Sequence, residues 1–206
     1  MAVVSNGTTI IDAGALGSGV ATGKMTLIKT LTASSSSTLS FVDGASSVVL
    51  DDTFPIYVFK FINMHPASNN VDLEFNMSVD AGSNYNIAKT STFFQAERSE
   101  AGGGGLAYST SDDLVQGTGF QNISDAVGTD NDVSSNGILT IYNPSSTTFV
   151  KHFTARLNGM YNSTYIVDCH SAGYGNTTSA VDAVQFKFSS GNIASGKIKL
   201  YGIKDA

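Results

Sequence analysis

The 206 residues carry 11 lysines and arginines against 17 aspartates and glutamates, for a net charge of −6, and only 14% of them are charged. An ordinary domain has about 25%, so the polar surface here must be built from serine, threonine, asparagine and glycine, with no basic face for nucleic acid or an anionic membrane. One cysteine, Cys169, excludes an internal disulfide, and the fold must rest on packing and hydrogen bonds.

Residues 1–23 are small and glycine-rich. Gly14, Gly17, Gly19 and Gly23 work against a regular element, so the segment reads as an extended N-terminal arm. Val3, Val4, Ile10, Ile11 and Leu16 stand in it as apolar islands that a plain linker would not need. They suit an arm that anchors on a neighbouring subunit. The opening Met1-Ala2-Val3-Val4-Ser5-Asn6 has neither the basic nor the apolar stretch of a secretory signal. No apolar run approaches a membrane span. The expectation is a protein made in the cytoplasm, without signal peptide or membrane insertion.

Strand patterns then follow one another. The first is 24–32, followed by 38–42 and 47–50, and Asp51-Asp52-Thr53 makes a turn. In 56–62 Tyr57, Phe59 and Phe61 share one face while Ile56, Val58 and Ile62 share the other, which marks a central, buried strand. The loop His65-Pro66-Ala67-Ser68-Asn69-Asn70 leads to 71–79, and the two strands, 56–63 and 71–79, read as a hairpin. Val71, Leu73, Phe75, Met77 and Val79 alternate there with Asp72, Glu74, Asn76 and Ser78, giving one dry face and one wet face. The wet face is expected on the exterior. A turn at 80–84 and a strand at 85–94 would complete a meander of three.

Residues 95–136 are the least regular stretch, a functional loop region or a disordered one. Gly102–Gly105 turns or flexes, and Leu114, Phe120, Ile123 and Val127 are sparse apolar points in a polar, acidic stretch. Pattern returns at 138–142 and at 147–157, where Phe149, Phe153, Ala155 and Leu157 alternate with polar neighbours. Strands at 165–169, 181–188 and 197–204 close the chain. No short repeat supports a propeller or solenoid. Residues 24–206 therefore read as a single all-β domain, an antiparallel two-sheet sandwich of jelly-roll type, rather than a smaller immunoglobulin-like one.

Chemistry is sparse. Of the three histidines, His65 sits in a turn, His152 in a strand and His170 beside Cys169; adjacent strand residues point to opposite faces, so no zinc site is expected. No Gly-x-Ser-x-Gly marks a nucleophile. Asp72 and Glu74 are more simply a solvent face than a glycosidase pair, and Glu97 and Glu100 flank the glycine run in solvent. The expectation is no enzyme and no cofactor. Asp130, Asp132, Ser134 and Asn136 form a weakly calcium-like loop of hard oxygen donors. It is no EF-hand, since position 141 is Ile, and a polar turn is the simpler reading. Tyr161, Tyr165 and Tyr174, set among asparagines, could form a surface recognition patch, the basis of an alternative reading as a carbohydrate-binding module.

Several stretches carry a resemblance: Ser5-Asn6-Gly7-Thr8-Thr9-Ile10-Ile11-Asp12-Ala13-Gly14, the run Tyr57–Ala67, Gly82-Ser83-Asn84-Tyr85, Lys151-His152-Phe153, Gly173-Tyr174-Gly175-Asn176-Thr177-Thr178-Ser179-Ala180 and Ser189–Lys204. Across nearly its whole length the chain resembles a group of structural proteins from marine tailed bacteriophages. The resemblance implies a virion protein, either a capsid decoration or cement protein or a tail-fibre or appendage component. Its partners would be copies of itself, as a homotrimer by analogy, other virion proteins and, for an exposed tip, a host-surface glycan. It transfers no catalytic residue.

Overall fold

The computed structural model describes residues 3–5, 7–12, 15–16, 25–162 and 164–204. They form fifteen strands and no helix: β1 (Val3–Ser5), β2 (Thr8–Asp12), β3 (Ala15–Leu16), β4 (Met25–Ser36), β5 (Leu39–Val42), β6 (Ile56–Pro66), β7 (Val71–Ser78), β8 (Lys89–Ser99), β9 (Gly104–Tyr108), β10 (Gln121–Val127), β11 (Ser135–Tyr142), β12 (Lys151–Asn162), β13 (Tyr165–Gly175), β14 (Ala183–Phe188) and β15 (Ile193–Ile203). The architecture is an antiparallel β-sandwich. An eight-stranded sheet in the order β4-β15-β6-β11-β12-β13-β8-β9 faces a four-stranded sheet in the order β10-β7-β14-β5.

The winding has a simple rule. Take β4, β5, β6, β7, β10, β11, β14 and β15 in chain order. The first pairs with the last, the second with the seventh, the third with the sixth and the fourth with the fifth, each pair antiparallel. These eight strands are one long four-step hairpin folded across two sheets. Two excursions leave it, β8–β9 and β12–β13, and they join each other through the β8–β13 pair. They extend the larger sheet beyond β11, so that sheet overhangs the edge strand β10 of the smaller one.

Aromatic rings fill the space between the sheets. Phe59, Phe61 and Phe153 come from the larger sheet, Phe41, Phe75 and Phe186 from the smaller. Phe59 and Phe61 each lie 5.1 Å from Phe186, and Phe75 lies 5.0 Å from Phe153. Edge-on and tilted contacts of this kind add about 0.5–1.5 kcal/mol per pair beyond the burial itself. The period-two patterns of the sequence put these residues inward. Phe93, Val167 and Cys169 make a second, smaller core under the overhang.

The structure corrects several expectations. Strands 56–63 and 71–79 are not a hairpin: β6 lies between β15 and β11, and β7 between β10 and β14 in the other sheet. Their connection crosses the sandwich, tied by Ala67 N donating to Asn192 O at 2.9 Å. Nor does 85–94 complete a meander. The strand begins at Lys89 and pairs with β13 and β9. The expected wet face of β7 is not exterior. Asn76 and Ser78 are fully buried, and Asp72 and Glu74 half-buried. The reason is that residues 80–121 fold back over them. Asn76 Nδ2 donates to Tyr85 O, Thr118 O and Gly119 O at 2.7, 3.0 and 3.3 Å, and Ser78 Oγ donates to Asp80 Oδ1 at 2.7 Å. The irregular region 95–136 holds the end of β8, all of β9 and β10 and the start of β11. Residues 47–50 form no strand, though Val48 and Leu50 are buried, and Phe149 precedes β12 and is 67% exposed.

The N-terminal segment is not purely extended. β1, β2 and β3 form a small antiparallel sheet of their own, with Val4 opposite Thr9 and Ile11 opposite Leu16. Gly7, at φ 78°, supplies the left-handed turn between β1 and β2. Val3 and Val4 are 54% and 56% exposed. The side chains of Ile10, Ile11 and Leu16, named as the rest of the arm's apolar anchor, lie outside the described residues.

Candidate functional site

The overhang creates the site. Near the ends of β8 and β13, inner-face residues border an opening beside β10, the edge strand of the smaller sheet. Glu97 of β8 stands opposite Val167 of β13, with Tyr165 two residues earlier on the same face. Tyr161 of β12 closes one side, and Asp125 and Ala126 of β10 close another. Together they line an open cleft of about 380 Å³. Val167 is buried at its base, Tyr165 and Asp125 are half-buried, and Tyr161 and Glu97 are exposed at the rim.

Two irregularities in the ladders aim these residues. The β10–β7 register shifts between Ser124 and Val127, which puts Asp125 and Ala126 in a bulge. The β12–β13 register shifts between Met160 and Asn162, which makes Tyr161 the extra residue of a second bulge. A bulge re-aims side chains and bends its strand. Ala126 takes the left-handed conformation, φ 52°, unusual for a residue with a Cβ. It is held by donating its N–H to Asp72 Oδ1 at 2.9 Å. Gly128 then brings β10 against β12: its N–H donates to Met160 O at 3.0 Å, and a Cβ there would fall 2.3 Å from Tyr161 O.

Behind the cleft lies a carboxylate cluster. Oxygens of Asp72, Asp112 and Asp125 all fall within 4.8 Å of one another. Asn122 Nδ2 bridges two of them, donating to Asp112 Oδ1 at 2.6 Å and to Asp72 Oδ2 at 3.4 Å. Ser109 donates to Asp112 Oδ2, and Gln121 Nε2 to Asp112 O at 2.8 Å. Burial first, and the neighbouring Asp125 and Asp112 carboxylates after it, push Asp72 up to about 6 against the opposing Ala126 hydrogen bond. Three hard oxygen donors are the chemistry of a calcium or magnesium ligand set. The same contacts knit segment 109–126 to β7.

The sequence-selected residues divide. Tyr161 and Tyr165 meet in the cleft, whereas Tyr174 lies further along β13 on the sheet's outer face, 6.0 Å from the His152 ring. In the calcium-like loop, Asn136 Nδ2 donates to Ser134 Oγ at 3.1 Å, and Asn136 Oδ1 accepts from Asn63 N at 2.7 Å. Asp130 O closes a turn by accepting from Val133 N, and Asp132 and Ser134 line a shallow polar hollow with His65. The triple-carboxylate grouping among the described residues falls at Asp72, Asp112 and Asp125 instead. Cys169 is buried, and desolvation pushes its thiol up to about 12, so it is no nucleophile. His170 points the other way, stacked 4.8 Å from Phe94 and 3.3 Å from Asp168 Oδ2.

Sequence reasoning did not single out Asp125, Ala126 and Asp112, which sit in a stretch with little pattern; Glu97, expected in solvent, is exposed and stands at the rim of the cleft. The acid density of Ser109–Asn136 was the available signal. Compared with known proteins, the chain matches no family model, no curated protein and no solved structure.

Proposed function

We propose that this chain is a non-catalytic structural protein of a bacteriophage particle, a jelly-roll subunit that assembles with copies of itself, as a trimer, and with other particle proteins. The observation that carries the reading is the winding of the sandwich. A four-step hairpin rolled so that its first strand lies beside its last supports a jelly-roll reading, an architecture common in capsid and lectin domains. A fold alone does not set function, and the step to the particle rests on the residue resemblance to tailed-phage structural proteins. Two further features support it. The outer face of the larger sheet leaves Phe94, Leu106, Tyr108, Ile138, Tyr142 and Ile166 exposed, an apolar surface suited to subunit contacts. The carboxylates of Asp72 and Asp112 are engaged by backbone and side-chain donors that fasten loops, a structural use of acids.

Antibody labelling of intact particles tests the reading and its branches. Label on heads identifies a decoration or cement protein, and label on tails an appendage component. Particles without label and without the chain in their mass spectrum would overturn it. Light scattering should give three times the 21.5 kDa chain mass, and a stable monomer at micromolar concentration removes the trimer.

A second reading, favoured by the tyrosine cleft, is carbohydrate recognition at a host surface. It can stand within the first, because a tail appendage must touch its host.

A further inference from the structure

We infer that the cleft between Tyr161, Tyr165, Glu97 and Asp125 binds one ring of a neutral or amine-bearing sugar and refuses acidic sugars. The inference deepens the carbohydrate-recognition reading by naming the ligand class.

The shape comes first. At about 380 Å³ the cleft lies within the range of small-ligand sites, roughly 300–1,000 Å³. Its apolar lining comes from Tyr161, Tyr165, Val167 and Ala126. A pyranose ring presents C–H groups on its flat faces and hydroxyls on its edge. Tyrosine suits both, since its ring packs on the face while its hydroxyl reaches the edge.

The polar inventory decides the class. Glu97 and Asp125 are carboxylates and only accept hydrogen bonds when ionised. Gln95, two residues before Glu97 on the same face of β8, has a buried Oε1 without a hydrogen-bond partner. Among the described residues, no lysine, arginine or histidine lines the cleft. Apart from the two tyrosine hydroxyls the polar groups of the cleft only accept, so the ligand must bring donors of its own. Sugar hydroxyls do so, and an ammonium group adds charge attraction together with the faces of two tyrosines. Asp112 and Asp72 stand behind Asp125 and add to the negative potential. A uronic or sialic carboxylate would meet like charge with no cation to receive it.

The construction points the same way. Two separate strands break register at residues that line one opening, Tyr161 and Asp125, and Ala126 holds a left-handed conformation beside them.

The test is a two-dimensional NMR titration of the full chain. The panel is glucose, galactose, mannose and N-acetylglucosamine, then glucosamine, then glucuronic and N-acetylneuraminic acids, with choline as a cation lacking the ring. At least one neutral or amino sugar should shift the signals of Tyr161, Tyr165 and Asp125 with a millimolar Kd, and the acidic sugars should bind about tenfold more weakly or not at all. Tyr161→Ala and Tyr165→Ala should each weaken binding about tenfold, the loss of one ring contact. Glu97→Gln, at an exposed position, should weaken it while leaving Tm unchanged, which keeps the test valid if an alanine variant misfolds. Tyr174→Ala, outside the cleft, should leave binding unchanged. No shift with any sugar up to about 50 mM, equal binding of acidic sugars, or binding of choline alone would each overturn the inference. Because binding is read on the isolated chain, its failure leaves the particle reading to stand or fall by labelling.

Discussion

Lys89 has no exposed surface, and its ammonium nitrogen sits on two neutral oxygens, Asn76 Oδ1 at 2.6 Å and Ile87 O at 2.8 Å. Burial pulls it down from 10.5 to about 7. The unfolded chain keeps the proton up to pH 10.5, while the folded chain begins to give it up near 7. Between these values the unfolded state binds more protons, so stability rises with pH. Lys89 is half protonated at pH 7, and integrating from there to pH 9 at about 1.36 kcal/mol per unit gives about 2 kcal/mol. The window must stop near 9. Desolvation raises Cys169 above its ordinary 9.0 and Tyr57 above its ordinary 10.0, and both cost stability as the unfolded chain ionises. Lys151, also lowered by burial, acts in the same direction as Lys89, so the wild-type slope alone is not diagnostic. The comparison is with Lys89→Met, which keeps the apolar stem and removes the charge. Urea unfolding at pH 7, 8 and 9 should show wild type gaining about 2 kcal/mol more than the variant. Parallel profiles would refute the reasoning, because they would mean that Lys89 loses no proton on folding in this window.

Two further predictions concern the covered face of β7. Asn76→Ala removes the amide that serves Tyr85 O, Thr118 O and Gly119 O, and should cost about 2–3 kcal/mol with faster amide exchange across residues 80–121; unchanged exchange there would show that other contacts hold the segment. Asp72 is raised in the folded chain from 3.8 to about 6, so the folded state binds the extra proton between those values and stability falls as pH rises through them. Asp72→Asn should therefore be more stable than wild type at pH 7 by roughly 1–2 kcal/mol after allowance for solvent screening, and equal to it below pH 4. Urea unfolding at the two pH values checks it, and a variant equally destabilised at both would mean that the carboxylate charge is not what Asp72 contributes.

By itself the sequence determined the all-β class and, in its most regular strands, which residues face inward. Tyr57, Phe59 and Phe61 in β6 and Leu73, Phe75 and Met77 in β7 are buried as their alternation requires, because side-chain direction along a strand is a local, period-two property. Tyr161 and Tyr165 stood out in the sequence by their chemistry, and the structure brings them to one cleft, one exposed and one half-buried. Only the tertiary structure decided who pairs with whom. Strand partners are set by contacts far apart in sequence, such as β4 with β15, and the 56–63 and 71–79 segments went to opposite sheets for that reason. The polar alternates Asn76 and Ser78 looked like a solvent face, yet segment 80–121 supplies the hydrogen bonds that let them be buried. The cleft was the least legible feature. It depends on a larger sheet overhanging a smaller one and on two bulges, one at Tyr161 and one at Asp125 and Ala126. A bulge is a shift of register against a partner strand, so no pattern within either strand can announce where its side chain will point.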